Sequence, residues 1–254
     1  MPFIIESLLE RYGHRITLRA VAVAMTILTG PLIPFMKSRL PPSQISVAIR
    51  QDWSFARSPL FFVYSTANIA QGLGFFFPSL FLPSYAASIG LGSRYGALLL
   101  ALMSFAQVLG QSIFGLLSDK VELNALLLLS TVVAAIATFA SWGVAHDLAP
   151  LIVFALLFGF FAYGFCSLRA RMGTAISEEP TAALATFCIF VFCQGFGNVL
   201  AGPISAALLT NGVKRDGYGL WRYKGMVLFT GACMLLSAAS VGLWHWRPRR
   251  MNAD

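Results

Sequence analysis

Residues 124–145 read Asn-Ala-Leu-Leu-Leu-Leu-Ser-Thr-Val-Val-Ala-Ala-Ile-Ala-Thr-Phe-Ala-Ser-Trp-Gly-Val-Ala, without one Asp, Glu, Lys, Arg or His. An α-helix needs about 20 apolar residues to cross the hydrocarbon core of a bilayer. This stretch supplies them. Working outward from it, residues 17–36, 60–86, 95–117, 150–168, 182–210 and 225–246 do the same, and no Asp or Glu falls inside any of these stretches. A segment in lipid must satisfy its own backbone N–H and C=O groups, so the expectation is an all-α, polytopic membrane helix bundle.

Composition agrees with lipid as the solvent. Hydrophobic residues make up 57% of the chain and charged residues 11%, whereas a soluble domain carries about 25% charge. The mean hydropathy is +0.75. A net charge of +8 raises the question of nucleic acid, but the Lys and Arg residues are scattered over span ends and loops. Basic residues at membrane borders follow from loop charge bias, and no nucleic-acid partner is expected. Cys166, Cys188, Cys193 and Cys233 all fall within spans and lack C-x-x-C spacing, so they read as small buried apolar residues. His14, His146 and His245 stand apart from one another and from the cysteines; no metal site and no cofactor is expected.

Lys37-Ser38-Arg39-Leu40-Pro41-Pro42 opens the longest interruption. Adjacent prolines forbid helix continuation, so this is a linker that separates one span from a block of six. The other connectors, including one from Arg169 to Thr181, are short, which implies helices antiparallel to their sequence neighbours. Glu6, Glu10, Arg11, His14 and Arg15 form a polar connector ahead of the first span, behind an apolar start that reads as the tail of an earlier span. Placing the linker in the cytoplasm puts a small excess of Lys and Arg on that side, a weak vote under the positive-inside rule.

Polar side chains inside the spans carry the functional signal, because an amide in hydrocarbon must bond a neighbour or face a wet cavity. Tyr64, Asn68 and Gln71 share one helix face at i, i+4 and i+7. Ser104, Gln107 and Gln111 do so on the next span, and Gln194 and Asn198 on the sixth. Interhelical glue accounts for any single amide; three stripes together favour a lined path. Gly197, Ala201 and Ser205 form a small-residue stripe, while Gly202-Pro203 and the Gly72, Gly74, Pro78, Pro83 series predict close packing and bends. No nucleophile, base or metal constellation lies at membrane depth, so the chain does not read as an enzyme.

Gly115-Leu116-Leu117-Ser118-Asp119-Lys120 resembles the G-x-L-[SA]-D-[RK] loop signature of the major facilitator superfamily. Physically, the glycine admits a neighbouring helix and the Asp bonds a backbone group or an Arg across the turn. Glu10-Arg11-Tyr12-Gly13 with Lys37–Pro41, Pro78–Ala86, Phe158–Gly164 and Gly202-Pro203-Ile204 resemble the fungal monocarboxylate-permease-like branch. The resemblance implies helix 6 of the N-terminal half in residues 1–36, a cytoplasmic central loop in 37–59, the C-terminal six-helix half in 60–246 and a cytoplasmic tail in 247–254. Helices 1 to 5 of the family are absent from the sequence.

The same resemblance implies a secondary transporter of a small organic solute, monocarboxylate-like or related, working by alternating access. Tyr64, Asn68, Gln71, Gln107, Gln111, Gln194 and Asn198 would line the path, and Gly115, Asp119 and Lys120 would form the loop motif. Animal monocarboxylate carriers place an Asp and an Arg one turn apart in helix 8, where Gln107 and Gln111 stand here. Neutral amides cannot titrate, so carboxylate–proton symport does not carry over, and a neutral or zwitterionic substrate, or coupling through the absent half, is equally open. The partners expected are the solute, the bilayer and the missing N-terminal half or a full-length carrier. The membrane is expected to be the plasma membrane, a vacuolar or other organelle membrane being the alternative. A truncated, non-transporting fragment or partner of a full-length carrier is the competing reading.

Overall fold

The computed structural model describes residues 2–35, 53–209 and 221–246. The double-proline linker, most of the expected central loop, the loop before the last span and the expected tail lie outside these residues. The chain forms two compact units, Met1–Gln51 and Asp52–Asp254. Among the described residues every regular element is a helix.

In the first unit, α1 (Pro2–Thr29) continues as a 3-10 turn, Gly30–Phe35. Gly13 interrupts it at φ 72°, a backbone state that a residue without a Cβ adopts readily. The polar connector expected around Glu6–Arg15 is therefore helical on both sides of this one glycine. The stretch able to span a membrane is Arg11–Phe35, longer at its start than the apolar run.

In the second unit, α2 (Pro59–Phe75) and α3 (Phe77–Ser88) together make the next span. They part at Phe76 because Pro78 has no N–H for the carbonyl four residues back and its ring crowds that turn. Ser88 leads into a tight C-terminal cap. Gly90 N–H reaches Ala87 O and Leu91 N–H reaches Ala86 O, with Gly90 at φ 91°, the bond pair of a Schellman turn. That cap turns the chain into α4 (Ser93–Leu117).

Next comes α5 (Leu123–Ala137), closed by a π-turn over Thr138–Trp142. α6 (Leu148–Gly164) is followed by a 3-10 segment, Phe165–Leu168, and then α7 (Arg169–Ile176). α8 (Pro180–Leu208) and α9 (Trp221–His245) complete the unit. One expectation changes here. The Arg169–Thr181 connector is mostly helix, and the span runs Leu148–Ile176. α8 passes through Gly202-Pro203 without a break.

Side-chain bonds define two ends. At one, Tyr64 Oη donates to Asn124 Oδ1 over 2.8 Å, and His245 Nδ1 lies 3.4 Å from Glu122 Oε1. At the other, Tyr85 Oη donates to Ala145 O over 2.7 Å and Ser88 meets Tyr223 at 3.3 Å. Direction thus alternates along the chain. Between non-sequential neighbours, packing is by glycine. Lipid tails are as apolar as side chains, so helices associate through close fit rather than burial from water. A Cβ on Gly72 would sit 2.8 Å from Gln194 Cα, and one on Gly197 would sit 2.6 Å from Gly72 C. α2 and α8 therefore touch backbone to backbone, and Gly110 does the same for α4 against Phe160 of α6.

Two buried clusters fill the unit. One gathers Phe77, Tyr85, Trp142, Phe154 and Phe158, with Trp142 stacked 5.1 Å from Phe154. The other gathers Tyr64, Phe114, Leu126, Phe165 and Phe190. Outward faces stay apolar: Phe192, Val199 and Leu243 are each exposed, as expected where lipid is the neighbour.

Candidate functional site: a buried polar cluster between α2, α7 and α8

Tyr64, Asn68 and Gln71 point inward from one face of α2 and are buried. Their amides are satisfied by other elements as well as their own. Asn68 Nδ2 donates to Tyr64 O over 2.8 Å and contacts Met172 Sδ at 3.4 Å. Gln71 Nε2 donates to Ala162 O of α6 over 3.1 Å. Both amide oxygens then face Arg169.

Arg169 is the residue the sequence reading placed in a loop. It is 5% exposed. Its Nε donates to Asn68 Oδ1 over 2.9 Å, and its Nη2 lies 3.5 Å from Gln71 Oε1 and 3.3 Å from Cys166 Sγ. The Phe165 ring lies beneath the guanidinium, 6.0 Å from ring centroid to Cζ. The 3-10 segment explains the Cys166 contact, since residues three apart eclipse in that geometry. Among the described residues no carboxylate pairs with Arg169; the ion pairs there are Arg171–Asp119 and His245–Glu122. An arginine does not lose its proton in a protein, so a full charge is held here by neutral dipoles.

The third stripe joins through Gln194, which is buried and whose Nε2 lies 3.9 Å from Cys166 Sγ. The structure thus brings Asn68, Gln71 and Gln194 together around Cys166 and Arg169, while Tyr64 joins only through its backbone carbonyl to Asn68 and sends its hydroxyl to Asn124. It does not bring in the others. Gln107 and Gln111 are half-buried on α4 and make no hydrogen bond among the described residues. Ser104 is exposed and bonds back to Leu100 O. Asn198 is half-buried with its Oδ1 shielded and unpartnered.

The loop motif sits at the end of the bundle shared with Tyr64 and Asn124. Arg171 Nε lies 3.9 Å from Asp119 Oδ1 and 3.3 Å from Ser118 O, while Lys120 is exposed. Gly115 has open space where a Cβ would project, so within this unit it does not admit a neighbouring helix. Of the cysteines, Cys233 is buried, Cys166 and Cys193 are half-buried and Cys188 is exposed. Cys188 is therefore not the buried apolar residue expected, because it lies on the outward side of α8.

A charge after an apolar run reads as the edge of the membrane, so sequence alone puts Arg169 in a loop. The signal available was the helix-breaking chemistry, which arrives only at Ser177-Glu178-Glu179-Pro180.

Seven helices long and apolar enough to cross a membrane, with a polar cluster buried among three of them, define an integral, polytopic all-α membrane protein. Its relatives are transporters of the major facilitator superfamily. The MFS transporter asaE of Aspergillus flavus is 26% identical over 245 residues, 95% of this chain and 54% of its own length. An MFS-type transporter of Gibberella moniliformis is 23% identical over 92% of this chain and 54% of its own length. Monocarboxylate transporter 2 of Mesocricetus auratus is 26% identical over 73% of this chain and 37% of its own length. The chain spans about half the length of the relatives it matches most extensively. No protein-family model matches it.

Proposed function

We propose that this chain acts as one bundle of a secondary active transporter that moves a small organic solute, monocarboxylate-like or a related metabolite, by alternating access. Residues 60–246 form the six-helix half in this reading, residues 1–36 supply helix 6 of the other half, 37–59 the cytoplasmic central loop and 247–254 a cytoplasmic tail. The complementary helices are its partner, and the plasma membrane is its site of action.

The observation that carries the reading is the polar cluster itself. Amide stripes on α2 and α8 converge with α7 on a buried cation in a half that has no carboxylate inside its spans. Intramembrane polar and ionisable groups are costly and mark solute pathways. Sites at the interface of packed helices are where such carriers bind. The glycine-packed α2–α8 crossing supports movement of this half as one body, because backbones in contact cannot slide without losing their fit. Gln107, Gln111 and Asn198, half-buried and without a side-chain hydrogen bond among the described residues, are the candidate contacts on the walls.

Solute uptake into proteoliposomes tests the reading. Carrier activity that falls in Gln111→Ala, Gln194→Ala and Asn198→Ala, with protein levels unchanged, is the expected result. Absence of flux for any tested organic acid, amide or sugar, with those variants affecting only expression, removes it.

A further inference from the structure

We propose that a groove on the outer face of α2 and α9 binds an anionic glycerophospholipid, with an acyl chain in the groove and the phosphate against Arg57. The site needs only a bilayer around the bundle and does not depend on transport.

The groove follows from where close packing ends. Midway along the two spans a Cβ on Gly74 would sit 3.0 Å from Cys233 Cβ and 3.2 Å from Thr230 O, so α2 and α9 are in close contact there. The next glycine of α9, Gly242, faces Leu128 of α5 instead. Toward the end that holds Tyr64 and Asn124, Pro59 and Phe62 of α2 stand across from Leu243 and Trp244 of α9, and a groove of about 330 Å³ opens. Phe62 and Leu243 are exposed. Thr66 and Ser240 add one hydroxyl to each wall. Ser240 donates to Ser237 O over 2.8 Å, but exposed Thr66 makes no side-chain hydrogen bond among the described residues. Thr131, Thr138 and Thr186 each donate to the carbonyl four residues back, which is how a hydroxyl on a helix satisfies itself locally. Thr66 lacks that bond, and a polar group in hydrocarbon without a partner is costly. The ester carbonyl of a glycerophospholipid is an acceptor that a bare hydrocarbon chain does not supply.

Charge selects the headgroup. Arg57 ends the 3-10 segment Trp53–Arg57, two residues before Pro59, and is exposed. Among the described residues no carboxylate pairs with it: Glu122 lies against His245 and Asp119 against Arg171. α2 has no acidic residue in its first turn, so the positive end of its dipole is not offset there. In the sequence Arg247, Arg249 and Arg250 follow Trp246, which adds to the basic character of this end. Exposed Trp53 and Trp246 mark the headgroup level, where indoles gather. Basic residues at that level attract anionic lipid.

The test places the full chain in phosphatidylcholine bilayers that contain a minor fraction of brominated phosphatidylglycerol or, in parallel, of brominated phosphatidylcholine. Bromine quenches indole fluorescence on contact, and the Trp244 signal is the difference between the parent and Trp244→Phe. Brominated phosphatidylglycerol should quench Trp244 at a lower fraction than brominated phosphatidylcholine does. Arg57→Gln should cut that preference about fivefold, the worth of one arginine beside an anionic surface. Arg94→Gln, exposed at the opposite end of the bundle, should leave it unchanged. Thr66→Phe fills the groove without altering the charge, and it should bring quenching by phosphatidylglycerol down to that by phosphatidylcholine. Equal quenching by the two lipids in the parent overturns the proposal. So does a preference that survives both Arg57→Gln and Thr66→Phe, or one that falls as far in Arg94→Gln as in Arg57→Gln.

Discussion

Arg169 Nε and Asn68 Oδ1 meet at 2.9 Å across 101 residues of sequence, and this bond joins α7 to the middle of α2. The two partners are not equivalent. Removing Asn68 leaves a buried charge without its best acceptor, which costs about 3–5 kcal/mol. Removing Arg169 leaves neutral acceptors only, Asn68 Oδ1 without its donor and Gln71 Oε1 without its 3.5 Å contact, at about 1–3 kcal/mol for a buried neutral group. Asn68→Leu should therefore destabilise more than Arg169→Leu, and the double variant should recover part of the Asn68→Leu loss. Unfolding free energies in detergent micelles measure all three. Equal single costs that add in the double variant would show that the pair is not coupled.

The bundle was legible and its polar centre was only half so. Runs such as 124–145 declare a span because hydropathy averages over many residues, and a few polar ones do not change the sum. The amide stripe of α2 was legible for a similar reason: positions 64, 68 and 71 fall on one face whatever the partner is. What packs against that face was not. The bonds of Asn68 and Gln71 run to Met172, Ala162 and Arg169, and no local rule encodes contacts so far along the chain. Gln107 and Gln111 show the converse. They form an equally regular stripe, yet α4 turns Met103, Ala106 and Gly110 toward α6 instead. Proline behaved according to context, since Pro78 parts two helices while Pro203 sits inside one.

Glycine at the α2–α8 crossing is required by distance. Gly72→Ala would bring a Cβ to 2.8 Å from Gln194 Cα, and Gly197→Ala would bring one to 2.7 Å from Leu73 N. Backbone cannot give way as a side-chain tip does, so each should cost about 1–3 kcal/mol through overpacking. Gly195→Ala is the control on the same helix, with nothing within 4 Å, and should be neutral or gain about 0.5–1 kcal/mol from helix propensity. Thermal unfolding of the three variants in micelles checks the order. A Gly195→Ala loss as large as that of Gly197→Ala would show that propensity, not contact, sets the effect.

The pair at the loop motif should matter little for stability. Arg171 and Asp119 approach only to 3.9 Å, with side chains 48% and 75% exposed, and exposed ion pairs contribute about 0–1 kcal/mol. Asp119→Asn should shift the unfolding midpoint by an amount equivalent to less than about 0.5 kcal/mol, and that shift should fade at high salt. Solute flux is the more informative readout. A variant that is stable but inactive would place the role of Asp119 in the transport cycle rather than in the resting fold.

Tyr85 is the opposite case, a polar contact sealed inside the second end of the bundle. Its ring packs at 6.2 Å from Trp142 and 5.2 Å from Tyr223, and its hydroxyl donates over 2.7 Å to Ala145 O, just past the π-turn of α5. Tyr85→Phe keeps the ring and deletes the donor to that carbonyl. Leaving a buried acceptor short of its partner costs about 1–3 kcal/mol, more than the roughly 0.5–1.5 kcal/mol net value of an average bond, because lipid and protein offer no water to replace it. The loss should be local. Amide exchange should rise around Gly143–Ala145 and at the Gly90 turn, while the Arg169 network at the opposite side of the bundle keeps its protection. Uniform loss of protection along α2 and α7 would mean that the two buried clusters unfold as one, and that this hydroxyl stabilises the whole unit rather than its end.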